Sequence, residues 1–100
     1  MGAMSLNHLE QTCEAQGITL VMHPTIRRAV RRYEESFYIG VCSYLRGESD
    51  GRYFLPLEDG YARLRFSKRT SSLGHPILRV DATTEDGLAR IKADLMAVRS

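Results

Sequence analysis

Arg27, Arg28, Arg31 and Arg32 recur at three- and four-residue spacing, which on a helix puts their guanidinium groups on one face. Planar guanidinium groups clustered in this way can grip phosphates, or the carboxylates of an acidic protein surface, through paired N–H donors. Arg63 and Arg65 fall on the polar side of an alternating segment, and Lys68 and Arg69 follow in what reads as a loop. Together these residues are the candidate binding surface. Tyr38, Tyr44, Tyr53 and Tyr61 are the aromatic side chains that could stack on a base beside it, although tyrosine at strand positions also serves sheet packing. No helix-turn-helix, zinc-finger or RNP-type pattern accompanies the arginines.

Other chemistry is sparser. The pairs Arg27/Arg31 and Arg28/Arg32 have the Arg-x-x-x-Arg form that resembles the cyclic-dinucleotide PilZ domains. Those domains add an Asp/Asn-x-Ser-x-x-Gly element. The nearest counterpart here is Arg69-Thr70-Ser71-Ser72-Leu73-Gly74, with arginine where the acid or amide belongs. The segment Ser67 to Gly74 is rich in hydroxyls and bases but lacks the glycine-lysine spacing of a P-loop. His8, His23 and His75 are dispersed, and no pair has metal-ligand spacing; no metal and no cofactor is expected. Cys13 and Cys42, the two cysteines, read as reduced thiols in or near a core, which points to a cytoplasmic setting. Glu48, Asp50, Glu58 and Asp59 sit in turn sequences, where hydration keeps carboxylates ordinary. No Gly-x-Ser-x-Gly nucleophile elbow is present.

At 100 residues the chain makes one domain, with 1–4 (Met1-Gly2-Ala3 ahead of Met4) reading as a cloning remnant or N-terminal tail and 5–100 as the folded unit. A hydrophobic fraction of 43% and a charged fraction of 26% are those of an ordinary globular domain, which argues against disorder and membrane residence. The formal net charge of +2 is too small to identify a nucleic-acid binder by itself, so the distribution of charge must decide.

The elements that must position these residues follow from periodicity. Ser5 caps a helix over 5–16, with Leu6, Leu9 and Cys13 inward and Gly17 as its stop. Ile18 to Met22 reads as a strand. Pro24 opens a second helix, capped by Thr25 and running to Glu35, that buries Ile26, Ala29, Val30 and Tyr33 and carries the arginines on its other side. On that reading Glu34 and Glu35 sit at its C-terminus, where the dipole disfavours them. The segment 36–67 reads as three consecutive strands. The first runs from Phe37 to Leu45, the second spans 52–57, and the third puts Ala62, Leu64 and Phe66 inward against Tyr61, Arg63 and Arg65 outward. Pro56 requires its strand to be an edge or to be bulged, and Gly40 suggests a bulge or a close backbone approach. A last strand with Leu78 and Val80 inward precedes a final helix, capped by Thr83 or Thr84, whose stripe is Leu88, Ile91, Leu95 and Val98.

The expected fold is α+β, in the order α-β-α-β-β-β-β-α. An antiparallel sheet is built on a central three-strand meander, with the helices packed mainly on one face. The expected function is that of a non-enzymatic accessory or regulatory protein acting through protein-protein contact and self-associating as a homodimer, because the edges of a small sheet must be covered or paired. The alternative is a nucleic-acid binder using the arginine helix and the adjoining basic strand face. A small enzyme or a cyclic-dinucleotide sensor ranks third.

Overall fold

The computed structural model describes residues 4–98. Residues 1–3, read as a remnant, lie outside them, as does the side chain of Val98 that was expected in the last helical stripe. Among the described residues the elements are α1 (Leu6–Ala15), β1 (Thr19–Met22), α2 (Pro24–Val30), a 3-10 turn (Arg31–Tyr33), α3 (Glu34–Leu45), β2 (Arg52–Leu57), β3 (Gly60–Thr70), β4 (Pro76–Ala82) and α4 (Gly87–Val98). The domain is α+β, with one sheet in the order β1-β4-β3-β2.

The sheet is mixed rather than purely antiparallel. β2–β3 and β3–β4 pair antiparallel, whereas β1 runs parallel to β4. Tight turns dictate antiparallel pairing only for the strands they join. β1 reaches β4 after two helices and a hairpin, so no turn constrains its direction.

The expected first strand of the meander, Phe37 to Leu45, is helix α3. Phe37, Val41 and Leu45 lie on one side of a strand but also recur every four residues, which is one side of a helix. Phe37 and Val41 are fully buried, while Ile39, which a strand would have placed beside them, is 49% exposed. Pro56 opposes the strand reading as well, because a strand beside each flank of β2 would put the proline in the middle of a sheet. Instead β2 is an edge. The two-residue turn at Glu58-Asp59 makes Leu57/Gly60 a hydrogen-bonded pair, and pairs alternate from there, so the nitrogen of Pro56 points out of the sheet.

Gly47 is correspondingly a helix cap and not part of a hairpin. The Gly47 amide donates to the Tyr44 carbonyl at 3.0 Å and the Glu48 amide to the Ser43 carbonyl at 2.9 Å, with Gly47 at φ +76°. This is the same Schellman closure that ends α1, where Ile18 donates to Cys13 and Gly17 to Glu14, each at 2.9 Å. Ser5 caps α1 as expected, its hydroxyl accepting from the His8 amide at 3.1 Å. At α2 the cap is His23, whose Nδ1 accepts from the Thr25 amide at 3.0 Å, and Thr25 itself is buried. Glu34 and Glu35 occupy the first turn of α3, where the dipole favours them. Gly87 opens α4 and is not inside it.

The helices share one core with one side of the sheet. Leu6, Leu9 and Cys13 of α1, Ile26, Ala29 and Val30 of α2, Phe37 and Val41 of α3, and Ile91 of α4 are buried against Leu20, Tyr53, Leu55, Ala62, Leu64, Phe66, Leu78 and Val80. Phe37 meets Tyr53 and Phe66 edge-to-face, with ring centroids 5.4 and 5.7 Å apart. Gly40 lets α3 settle on the sheet, since a Cβ there would stand 3.2 Å from the Tyr53 ring. The close approach read from Gly40 is therefore real, but it is made by a helix.

Candidate functional site

With the helices on one side, the other side of the sheet is left open, and strand register fixes what it displays. Cross-strand partners share a face. One row holds Arg52 of β2, Arg65 of β3 and Asp81 of β4. The next holds Phe54 and Arg63, followed by Pro56 and Tyr61. In the other direction come Ser67, Arg79 and Val21, then Arg69, Ile77 and Thr19. Phe54 is 54% exposed and Tyr61 is 62% exposed, and their rings sit edge-to-face at 6.4 Å. Arg52, Arg63, Arg65, Arg69 and Arg79 are all exposed.

Two acids answer these five arginines. Asp50 binds Arg52 at 3.3 Å and Asp81 binds Arg79 at 3.1 Å. Arg63, Arg65 and Arg69 have no acidic partner among the described residues. Arg52 and Arg65 stand directly opposite each other, an arrangement of like charges that destabilises a sheet by a few tenths of a kcal/mol or more. A cleft of ≈ 350 Å³ lies on this surface, lined by Arg52, Phe54, Arg63, Arg65 and Thr83 among others.

The hairpin that carries the aromatic pair is bolted to α4. Arg90 donates to the Tyr61 carbonyl at 3.0 Å and to the Asp59 carboxylate at 3.2 Å. The Glu58 amide donates to Asp94 at 2.8 Å. Three bonds from the helix layer thus hold the turn next to Tyr61, which gives the open face a rigid corner.

The arginines of the 27–32 segment are placed differently. The segment is not one helix: Arg27 and Arg28 lie on α2, and Arg31 and Arg32 on the 3-10 turn that follows it. Arg27 is paired with Glu10 at 2.9 Å and Arg32 with Asp94 at 2.8 Å. Arg28 and Arg31 are exposed, without an ion pair among the described residues. All four belong to the helix layer, so they and the pair Arg63/Arg65 lie on opposite sides of the sheet and do not form a continuous patch. Lys68 and Arg69, expected in a loop, belong to β3. Lys68 turns toward the helices, its ammonium 5.9 Å from the centre of the Tyr44 ring, while Arg69 joins the open face.

Tyr61 alone of the four tyrosines named as stacking candidates lies on the open face. Tyr38 stacks on His8 at 5.5 Å, Tyr44 and Tyr53 contact Phe66, and the Tyr53 hydroxyl is hydrogen-bonded to Ser36 at 3.0 Å. Arg52, Phe54 and Arg79 were not read as site residues. Period-2 alternation was the signal that could have found them: Arg52 and Phe54 alternate with buried Tyr53 and Leu55, and Arg79 lies between Leu78 and Val80.

Among the described residues no group of three or more His, Cys, Asp or Glu side chains comes together to hold a metal ion. No helix among them is long and apolar enough to cross a membrane. No protein-family model, no curated protein and no solved structure matches this chain.

Proposed function

We propose that the chain is a non-catalytic binding protein and that the open sheet face holds nucleic acid. The observation that carries this reading is the composition of one surface: Arg63 and Arg65, without acidic partners among the described residues, beside exposed Phe54 and Tyr61, with Arg69 farther along β3. Guanidinium groups without acidic partners can displace the counterions of a phosphate backbone, and exposed rings can stack on bases. An acidic protein surface is the competing occupant, since protein interfaces also pair arginines with aromatic rings, and the salt titration below separates the two.

The test is titration of the purified protein into a labelled mixed-sequence oligonucleotide at two salt concentrations. Binding that weakens steeply with salt, and that is weakened in Arg63→Gln with Arg65→Gln, supports the reading. Binding absent at low salt ends it.

A second reading, an accessory or regulatory protein that self-associates, rests on the sheet edges. β2 is capped against extension by Pro56, so β1, four residues long, is the edge that a second copy could pair with. A concentration-dependent mass in light scattering, without any response to oligonucleotide, would favour it.

A further inference from the structure

We propose that the ligand of this face is a single strand, its unpaired bases stacked on Phe54 and Tyr61 and its phosphates held by Arg63 and Arg65. The inference rests on the reading of the open sheet face as a nucleic-acid site and states which form of nucleic acid fits it. Three features converge on it.

The first is the geometry of the rings. Phe54 and Tyr61 meet edge-to-face at an interplanar angle of 83°, and each stays more than half exposed, which leaves aromatic surface for a third ring. In a duplex the base faces are already stacked on one another, and only strands, loops and ends present them to a side chain.

The second is the shape of the surface. Readers of the duplex major groove insert a helix or a two-stranded ribbon into it. Here the four helices described pack their apolar sides on the opposite face of the sheet, and among the described residues no helix or strand stands above the open one. What the face has instead is the ≈ 350 Å³ cleft bounded by Arg52, Phe54, Arg63, Arg65 and Thr83, a hollow for a splayed-out base with guanidinium groups at its rim.

The third is charge placement. Arg52 and Arg65 oppose each other directly across β2 and β3, and Arg63 is the next outward residue along β3. Arg52 already has Asp50, so an anion seated beside Arg63 and Arg65 supplies the counter-charge that those two lack among the described residues. Phe54 lies directly across from Arg63, and Tyr61 is two residues before Arg63 on β3, so one short run of nucleotides can reach both phosphate and stacking contacts.

The experiment measures fluorescence anisotropy of the wild-type protein with a labelled 12-nucleotide strand, as DNA and as RNA, and with the duplex of the same sequence. The expected result is that single strands bind at least about tenfold tighter than their duplex. The double variant Phe54→Ala with Tyr61→Ala should lose at least about tenfold in strand affinity. RNA or DNA supports the inference, provided the strand outbinds its own duplex. A duplex bound as tightly as its strands overturns it while leaving the nucleic-acid reading intact. Absence of binding to every oligonucleotide overturns both. The strand-against-duplex comparison uses only the wild-type protein, so it decides the matter even where the double variant does not fold.

Discussion

Arg32 donates to Asp94 at 2.8 Å, tying the 3-10 turn to the last helix across 62 residues of chain. The second carboxylate oxygen of Asp94 accepts the Glu58 amide, also at 2.8 Å, and the Asp94 side chain is only 5% exposed. One carboxylate thus joins three separate pieces of the domain. Asp94→Ala should destabilise the protein by about 1–3 kcal/mol, because it leaves a guanidinium and a backbone amide without their acceptor. Urea denaturation checks this, and a loss below about 0.5 kcal/mol would show the contact to be incidental.

The same group predicts a pH dependence. The Glu58 amide first, and then Arg32, hold the Asp94 carboxyl below the usual carboxylate range. A carboxyl whose pKa is lower folded than unfolded adds stability above its unfolded-state value of about 4. That contribution is lost as the pH falls from there through the folded-state pKa. The advantage of wild type over Asp94→Asn in thermal melts should therefore be full at neutral pH and shrink in acid. An advantage that does not change as the pH is lowered would contradict the assignment.

Gly51 should not tolerate a side chain. It sits at φ +87°, where a Cβ would stand 2.9 Å from the Phe66 carbonyl oxygen. Its own carbonyl accepts from the Phe66 amide at 2.7 Å, so the backbone cannot move away without losing a ladder bond. Gly51→Ala should cost about 1–3 kcal/mol, read as a drop in the denaturation midpoint. Gly17→Ala, also at positive φ but with nothing within 4 Å of the new Cβ, should cost less.

The two cysteines should differ in reactivity. Cys13 is fully buried, and burial, with smaller contributions from Cys42 and Glu10, pushes its thiol up to about 11. Only the thiolate reacts with alkylating reagents. Cys42 is half-buried and lines a cleft with Thr12, Gln16, Tyr38 and Ile39. Iodoacetamide at mildly alkaline pH, followed by peptide mass spectrometry, should modify Cys42 well before Cys13. Equal labelling would mean that α1 opens readily.

The two sets of arginines should separate in a binding assay. Arg63→Gln with Arg65→Gln should reduce the magnitude of the slope of log affinity against log salt by about 2, one for each phosphate contact removed. Arg28→Gln with Arg31→Gln, on the helix layer, should leave both slope and affinity unchanged. The reverse pattern would move the site to the helices.

Much of this fold follows from sequence wherever one physical constraint acts alone. The alternation of Ala62, Leu64 and Phe66 with Arg63 and Arg65 admits only a strand with one wet face, and β3 is that strand. Ser5 and Gly17 mark the ends of α1 because a cap and a left-handed stop serve a helix and little else. Pro56 narrows its strand to an edge or a bulge because it lacks a donor, and β2 is the edge. The outward position of Arg63 and Arg65 is likewise fixed by period 2.

Tertiary structure decided the rest. Phe37, Val41 and Leu45 suit both a strand and a helix, and the choice fell to helix because Pro56 closes β2 to a further strand while the rings of Tyr53 and Phe66 need a covering layer. No local pattern sets the direction of β1, which is settled by pairing with β4, a strand that begins more than 50 residues later. Which arginines remain free was also invisible in sequence, since the partners of Arg27 and Arg32 are carboxylates on α1 and α4. Local pattern reports which way a side chain faces along its own element; only packing reports what, if anything, stands opposite it.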